Sequence, residues 1–211
     1  MSLTKDIFDA VVAGDQTQTA GLVKQALEAG IPAQAVLGEG LIAAMTEVGA
    51  LFEKGEYFVP DMLVSSRAMK TGMERLRPHL AAADVKPIAK VVIGTVKGDL
   101  HDIGKNLVAV MLEGAGFQVI DLGVDVSPER FVQTARETGA DLVALSALLT
   151  TTMPRMVTVE AALRTAGLHG QVKVLVGGAP ITQAFADQIG ADGFAPDAAV
   201  AASRARALVG V

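Results

Sequence analysis

The sequence predicts an α/β protein in two parts: a four-helix bundle over residues 1–84, then a doubly wound, parallel five-stranded sheet over residues 88–211. Three observations carry this prediction. Apolar residues in the first part recur at helical spacing, with no strand-like run among them. After "AAADVKP" (residues 81–87) the rhythm changes to short Val-, Ile- and Leu-rich runs, each followed by a segment of helical length. Those runs are apolar throughout rather than alternating, as in parallel strands covered on both faces.

The elements follow in order. "SLTKDIFDAVVAGD" carries Ile7, Phe8, Val11 and Val12 at helical spacing, and "QTQTAGLVKQALEAG" repeats the pattern up to Gly30. "PAQAVLGEGLIAAMTEVGALFEKG" has Pro32 at a helix start and ends near Gly55. "PDMLVSSRAMKTGMERLRPHL" starts again at Pro60, with Met62, Met69 and Met73 largely on one face. Short connections between four helices predict a bundle, and residues 81–87 read as a linker. Strands are expected in "AKVVIGTV", "FQVIDLG", "ADLVALSAL" and "VKVLVGG", with a short fifth in "ADGFAP" before a last helix in "DAAVAASRARALVG". Five such units suit a flavodoxin-like, Rossmann-like domain, where ligands bind beyond the carboxyl ends of the strands, at the point where strand order switches.

Composition narrows the function. Of 211 residues 51% are hydrophobic, enough for packed cores, and the net charge is −5. With no long basic run, nucleic acid is not an expected partner. The absence of Cys excludes disulfides, zinc–thiolate sites, iron–sulfur clusters and a thiol nucleophile. No uninterrupted apolar run approaches the roughly 18 residues of a membrane span, and "MSLTKDIFDA" lacks the basic and apolar regions of a signal peptide. A soluble, cytoplasmic protein without membrane association is therefore expected.

The most unusual segment is "VVIGTVKGDLHDIGKNLVAVML", residues 91–112, where a strand is predicted to give way to a helix. Its loop holds Asp99, His101 and Asp102 between Gly98 and Gly104; Ser146 ends the third predicted strand and Gly177–Gly178 the fourth, on the same sheet edge. A P-loop is excluded, because five residues rather than four separate the glycines and Asn106 follows Lys105. No GxGxxG is present, which speaks against a nicotinamide cofactor, and His79 and His169 are too isolated to make a zinc site with His101. A receiver domain shares the fold class, but its acidic cluster sits chiefly at strand ends. One imidazole beside one carboxylate suits a metal whose remaining ligands come from a macrocycle, haem or corrin, because the carboxylate fixes the ring's tautomer. Glycines at Gly104, Gly177 and Gly178 would leave a slot for a corrin's nucleotide tail. Alternatively, His101 is a solvated loop residue and Gly104 a helix start.

The wider pattern is Asp99-x-His101-x-x-Gly104, 41 residues, Ser146-x-Leu148, 28 residues, then Gly177–Gly178. It resembles the cobalamin-binding signature of methionine synthase and its relatives, and the likeness extends into "LFEKGEYFVPDMLVSSRAMKTGM". The resemblance implies a helical cap on a Rossmann-like cobalamin domain. His101 would be the lower axial cobalt ligand, replacing the cofactor's own dimethylbenzimidazole, with Asp99 as its hydrogen-bonded partner. Gly98, Asp99, Leu100, His101, Asp102, Ile103 and Gly104 would contact the corrin, with Gly104 at the entrance for the tail. Ser146, Leu148 and Thr150 would line the nucleotide tail, and Gly177 and Gly178 would let it pass. Thr152 stands where the family's relay continues from Asp to a Ser; its hydroxyl serves the same purpose, while its methyl restricts rotamers. Phe52, Val59 and Met62 would shield the upper corrin face, or else form bundle core. Pro196, Asp197 and Ala198 match a segment closing the tail pocket, or else an exposed turn before a helix.

The chain thus resembles stand-alone corrinoid proteins that shuttle a methyl group from a substrate-specific methyltransferase to a second methyltransferase acting on tetrahydrofolate or coenzyme M, with a reductive activase as a further partner. On this resemblance the chain is a methyl carrier, not catalytic alone, and residues 81–87 a hinge. A cobalamin-dependent sensor is disfavoured, since there is no Trp and no length for a DNA-binding module. The small subunit of a cobalamin-dependent mutase is disfavoured by the preceding helices.

Overall fold

Ser2 and Asp15 start the first two helices in the same way, each side chain accepting the N–H three residues ahead. In this computed structural model, which describes residues 2–83 and 85–211, Ser2 Oγ takes Lys5 N–H at 3.3 Å and Asp15 Oδ1 takes Gln18 N–H at 2.8 Å. Helix α1 spans Leu3–Val12 and α2 spans Gln16–Glu28. The third predicted helix is not uniform. It comprises α3 (Ala33–Ala35), a π-helical segment (Val36–Ile42) and α4 (Ala43–Glu53) in direct succession. Periodicity alone could not reveal the wider turns, which hold Gly38 and Gly40, residues with little preference for α geometry. Ala33–Glu53 is by length and composition long and apolar enough to cross a membrane. Glu39 and Glu47 interrupt it, and Val36, Leu41, Ala44 and Val48 are fully buried in the fold.

Helix α5 covers Val59–Ala82, and Asp61 Oδ2 accepts the N–H of Phe58 at its start, at 2.8 Å. Met62, Ser65, Met69, Gly72 and Leu76 form its buried side. It continues past Pro78 to Ala82, so the first two residues of the predicted linker are helical; Asp84 of that linker lies outside the described residues. The chain divides into two units, Met1–Lys86 and Pro87–Val211.

The second unit alternates strictly: β1 (Lys90–Thr95), α6 (Ile103–Gly114), β2 (Gln118–Asp121), α7 (Pro128–Thr138), β3 (Leu142–Ser146), α8 (Arg155–Thr165), β4 (Lys173–Gly177), α9 (Gln183–Ile189), β5 (Gly193–Ala195) and α10 (Ala198–Val209). Its five strands are parallel, in the order β2-β1-β3-β4-β5. Alternate side chains Val92, Val143, Leu145, Val174 and Val176 share one core with Phe131 of α7, Met156 and Leu163 of α8 and Ala186 of α9. Val91, Ile93, Leu142, Ala144 and Leu175 are buried too, on the opposite face by strand alternation; there α6 meets β1 and β2, and α10 meets β4 and β5. Strand order reverses between β1 and β3. Register aligns Thr95 with Ser146, Ser146 with Gly177 and Gly177 with Ala195, so one row of residues ends the sheet at its carboxyl edge.

Candidate functional site

The β1–α6 loop leaves this edge beside the reversal point. Gly98 supplies the turn with φ +83°, a conformation that side chains rarely adopt. Asp99 follows and is fully buried. Its carboxylate is the centre of the site. Oδ1 accepts the ring Nδ1–H of His101 at 2.7 Å and the backbone N–H of His101 at 3.1 Å. Oδ2 accepts the Thr152 hydroxyl at 2.6 Å and the Leu148 N–H at 2.8 Å, with the Leu149 N–H more distant at 3.4 Å. Burial by itself pushes the Asp99 carboxyl up; the bonds from Thr152, Leu148 and His101 outweigh it and hold the group well below the usual carboxylate range. An ionised carboxylate at 2.7 Å fixes the proton of a neutral His101 ring on Nδ1 and leaves the lone pair on Nε2. The His101 side chain is 49% exposed, so its free nitrogen is available to a ligand. Thr95 adds a further brace, its buried hydroxyl donating to His101 O at 2.9 Å.

Around the imidazole the surface is apolar and open. Leu100, Ile103 and Leu148 are 71%, 80% and 42% exposed. Asp102 stands just before α6, its Oδ2 accepting Asn106 Nδ2–H at 3.1 Å. The glycines differ in their reasons. A Cβ on Gly104 would meet nothing within 4 Å, so that glycine leaves space outside the chain. A Cβ on Gly178 would stand 1.9 Å from Ala147 O, at φ +128°, and one on Gly177 would stand 3.0 Å from Ala195 O. Gly178 is therefore required by packing against neighbouring backbone, and Gly177 is closely packed against it, whatever slot the glycines also leave. Among the described residues no group of three or more His, Asp or Glu side chains could hold a metal ion.

A family described as B12 binding domain matches residues 89–203, and a second with the same description matches residues 3–77. Trimethylamine corrinoid protein 1 of Methanosarcina acetivorans is 44% identical over 203 residues, 95% of this chain and 94% of that protein. The chain belongs to the B12-binding corrinoid proteins. Solved structures agree with that membership. The methanol:cobalamin methyltransferase complex MtaBC from Methanosarcina barkeri contains a chain that superposes with a TM-score of 0.88 at 30% identity, covering 99% of this chain and 80% of that one. A cobalamin-binding protein from Desulfitobacterium hafniense DCB-2 gives 0.82 at 32% identity, covering 98% of both chains.

The residues present fit a B12 cofactor: one imidazole with its tautomer fixed, an apolar rim around it, and an open cradle at Gly104 that a Cβ would begin to fill. The remaining predicted residues are less uniform. Ser146 is half-buried at the end of β3, and Thr150 is exposed in the next loop. Asp197 caps α10, its Oδ1 accepting the Val200 N–H at 2.8 Å; Ala198 is buried and Pro196 exposed. The carboxylate is thus engaged as the helix cap of the turn reading. In the bundle, Val59 is exposed and Phe52 half-buried, but Met62 is fully buried, at the head of the inward side of α5. Met62 in this conformation is core. The exposed apolar residues Phe58, Leu63 and Val64 beside Val59 escaped the sequence reading, which followed the Met spacing. Asp125 escaped it as well. This residue binds Gly98 N–H at 2.8 Å and Lys97 Nζ at 2.9 Å, and the Lys97 bond first, then that of Gly98, hold its carboxyl below the usual range. In the sequence it stands in "GVDVSP", an ordinary turn composition.

Proposed function

We propose that this B12-binding protein is a methyl carrier, holding its corrinoid through His101 and passing a methyl group between two methyltransferases. The observation that carries this reading is the Asp99–His101 pair, a buried carboxylate that fixes one ring nitrogen and leaves the other free beside an apolar, open surface. When bound, the corrinoid supplies a cobalt centre that accepts and releases a methyl group. The chain supplies the rest. His101 Nε2 would hold the cobalt, Asp99 would keep the ring oriented with its proton on Nδ1, and Thr152 would keep Asp99 ionised through the hydroxyl bond. Leu100, Ile103 and Leu148 would exclude water around His101, Gly104 would leave room for the cofactor's nucleotide tail, and Ser146 and Thr150 would bond it.

The partners fit the same reading. A substrate-specific methyltransferase would load the carrier, a second acting on tetrahydrofolate or coenzyme M would unload it, and a reductive activase would restore the reduced cofactor. The names of the relatives point to methylamines as donors. Reconstitution with hydroxocobalamin, followed by assay with candidate methyltransferases on mono-, di- and trimethylamine, methanol and aryl methyl ethers, tests the assignment. His101→Ala is expected to fold and to bind the corrinoid with loss of the imidazole-ligated absorption spectrum. An unchanged spectrum in that variant refutes His101 as the ligand, and no methylation from any donor refutes the carrier role.

A further inference from the structure

The loop after β2 holds a residue in a conformation that needs explanation. Asp125 is the one non-glycine among the described residues with positive φ, at 55°, a left-handed geometry that Asp tolerates better than most residues but still at a cost. Backbone bonds carry this loop alongside β1 beyond the end of β2: Leu122 N–H to Ile93 O, Thr95 N–H to Gly123 O and Val126 N–H to Thr95 O, at 2.8, 2.9 and 3.0 Å. At Asp125 it turns towards the loop that carries His101. There one residue makes three bonds to three successive positions. Oδ2 accepts Lys97 Nζ at 2.9 Å, Oδ1 accepts Gly98 N–H at 2.8 Å, and the Asp125 N–H donates to Asp99 O at 3.0 Å. The third bond goes with the left-handed backbone, in which the N–H faces Asp99 while the carboxylate reaches back to Gly98.

We infer that Asp125 is a positioning residue for the cobalt ligand, clamping the backbone of residues 97–99 from the β2–α7 loop so that Asp99 presents Oδ1 to the His101 ring. This inference rests on the reading of His101 as the ligand, but the clamp itself concerns the Asp99–His101 pair and acts without cofactor. Gly98 and Asp125 both have positive φ and are joined directly; Gly98 adopts that conformation freely, whereas Asp125 is held in one it disfavours. Lys97 is exposed, so its ion pair with Asp125 is screened by solvent and does not fix the backbone of the loop.

The variants separate the three contacts. Asp125→Gly keeps the backbone geometry and the bond to Asp99 O but removes the carboxylate. Asp125→Asn keeps an acceptor for Gly98 N–H and loses the charge opposite Lys97. Asp125→Ala loses the carboxylate and strains the backbone. Nitrogen-15 NMR of His101 in the apoprotein reads its tautomer, and the absorption spectrum of the hydroxocobalamin-loaded protein reads the imidazole-ligated fraction. The wild type is expected to hold the proton on Nδ1, with Asn close to it, Gly intermediate, and Ala reduced several-fold in both the Nδ1–H population and the ligated fraction. Lys97→Ala is expected to leave both readouts unchanged. The clamp is refuted if Asp125→Ala, folded by circular dichroism, keeps the wild-type tautomer, even if its melting temperature falls, since that outcome marks a merely structural residue. A wild type that holds the Nδ1–H tautomer yet shows no imidazole ligation refutes the ligand reading instead and leaves the apoprotein comparison to decide the clamp.

Discussion

Asp99→Asn changes one atom of the site and tests its electrostatic logic. The carboxylate accepts from five donors, two from His101 at Oδ1 and three at Oδ2, whereas an amide has a single acceptor oxygen. That oxygen is better placed towards Leu148 and Thr152, which leaves the NH2 group facing His101. The ring must then accept at Nδ1 and carry its proton on Nε2, which leaves that nitrogen without a lone pair for a metal. Bonds to an ionised group contribute about 1.5–3 kcal/mol and those to a neutral group about 1. The two short bonds at Oδ2 therefore each weaken by about 1 kcal/mol, and the His101 backbone N–H loses an acceptor for about 1 more. The expected loss is about 3 kcal/mol in the second unit. Urea unfolding of the apoprotein at pH 7, followed by circular dichroism because there is no Trp and a single Tyr, measures it, with separate transitions fitted where the two units unfold independently. The reasoning fails if the variant stays within about 1 kcal/mol of wild type and NMR still finds the proton on Nδ1.

The same network gives further expectations. Because the folded Asp99 carboxyl lies below its unfolded value of 3.8, its contribution is complete above that pH and declines as pH falls below it; the stability difference between wild type and Asp99→Asn should narrow in acid titrations below pH 3.8 and stay flat above it. Thr152→Val removes the donor at 2.6 Å but leaves Leu148 N–H on Oδ2, so it should lose about 1.5–2 kcal/mol in the same unfolding assay, while Thr152→Ser should stay within about 1. Gly178→Ala meets backbone at 1.9 Å and should destabilise by more than about 3 kcal/mol or prevent folding, read as melting temperature and soluble yield. Gly104→Ala meets nothing and should leave apoprotein stability unchanged or raise it by up to about 1 kcal/mol, yet weaken cobalamin binding by calorimetry.

The fold was legible because it rests on local periodicity. Continuous apolar strands, Pro at helix starts and Gly at helix ends are properties of neighbouring residues, and they specified both the bundle and the parallel sheet. That Asp99, His101, Gly104, Ser146 and Gly177 lie at one edge was legible for a related reason, since a parallel sheet brings every strand's carboxyl end together; their role in binding came from the resemblance to the cobalamin-binding signature. What the sequence left open depends on contacts between distant segments. Met62 shares its helical spacing with exposed neighbours, and only packing decides which side of α5 turns inward. The π-helical segment has the same residues as an α-helix would. Asp125 lies 26 residues from Asp99 and in the sequence is an unremarked turn residue; its left-handed backbone and three bonds exist only once β2 lies beside β1. The sequence by itself determined the two-part architecture, the common edge at which the strands end and the neighbouring imidazole and carboxylate. Tertiary structure alone decided that Asp99 is buried with five donors around it, that Thr152 completes the chain of hydrogen bonds, and that Gly178 is required by the protein's own backbone, because burial and close approach are set by segments far apart in sequence.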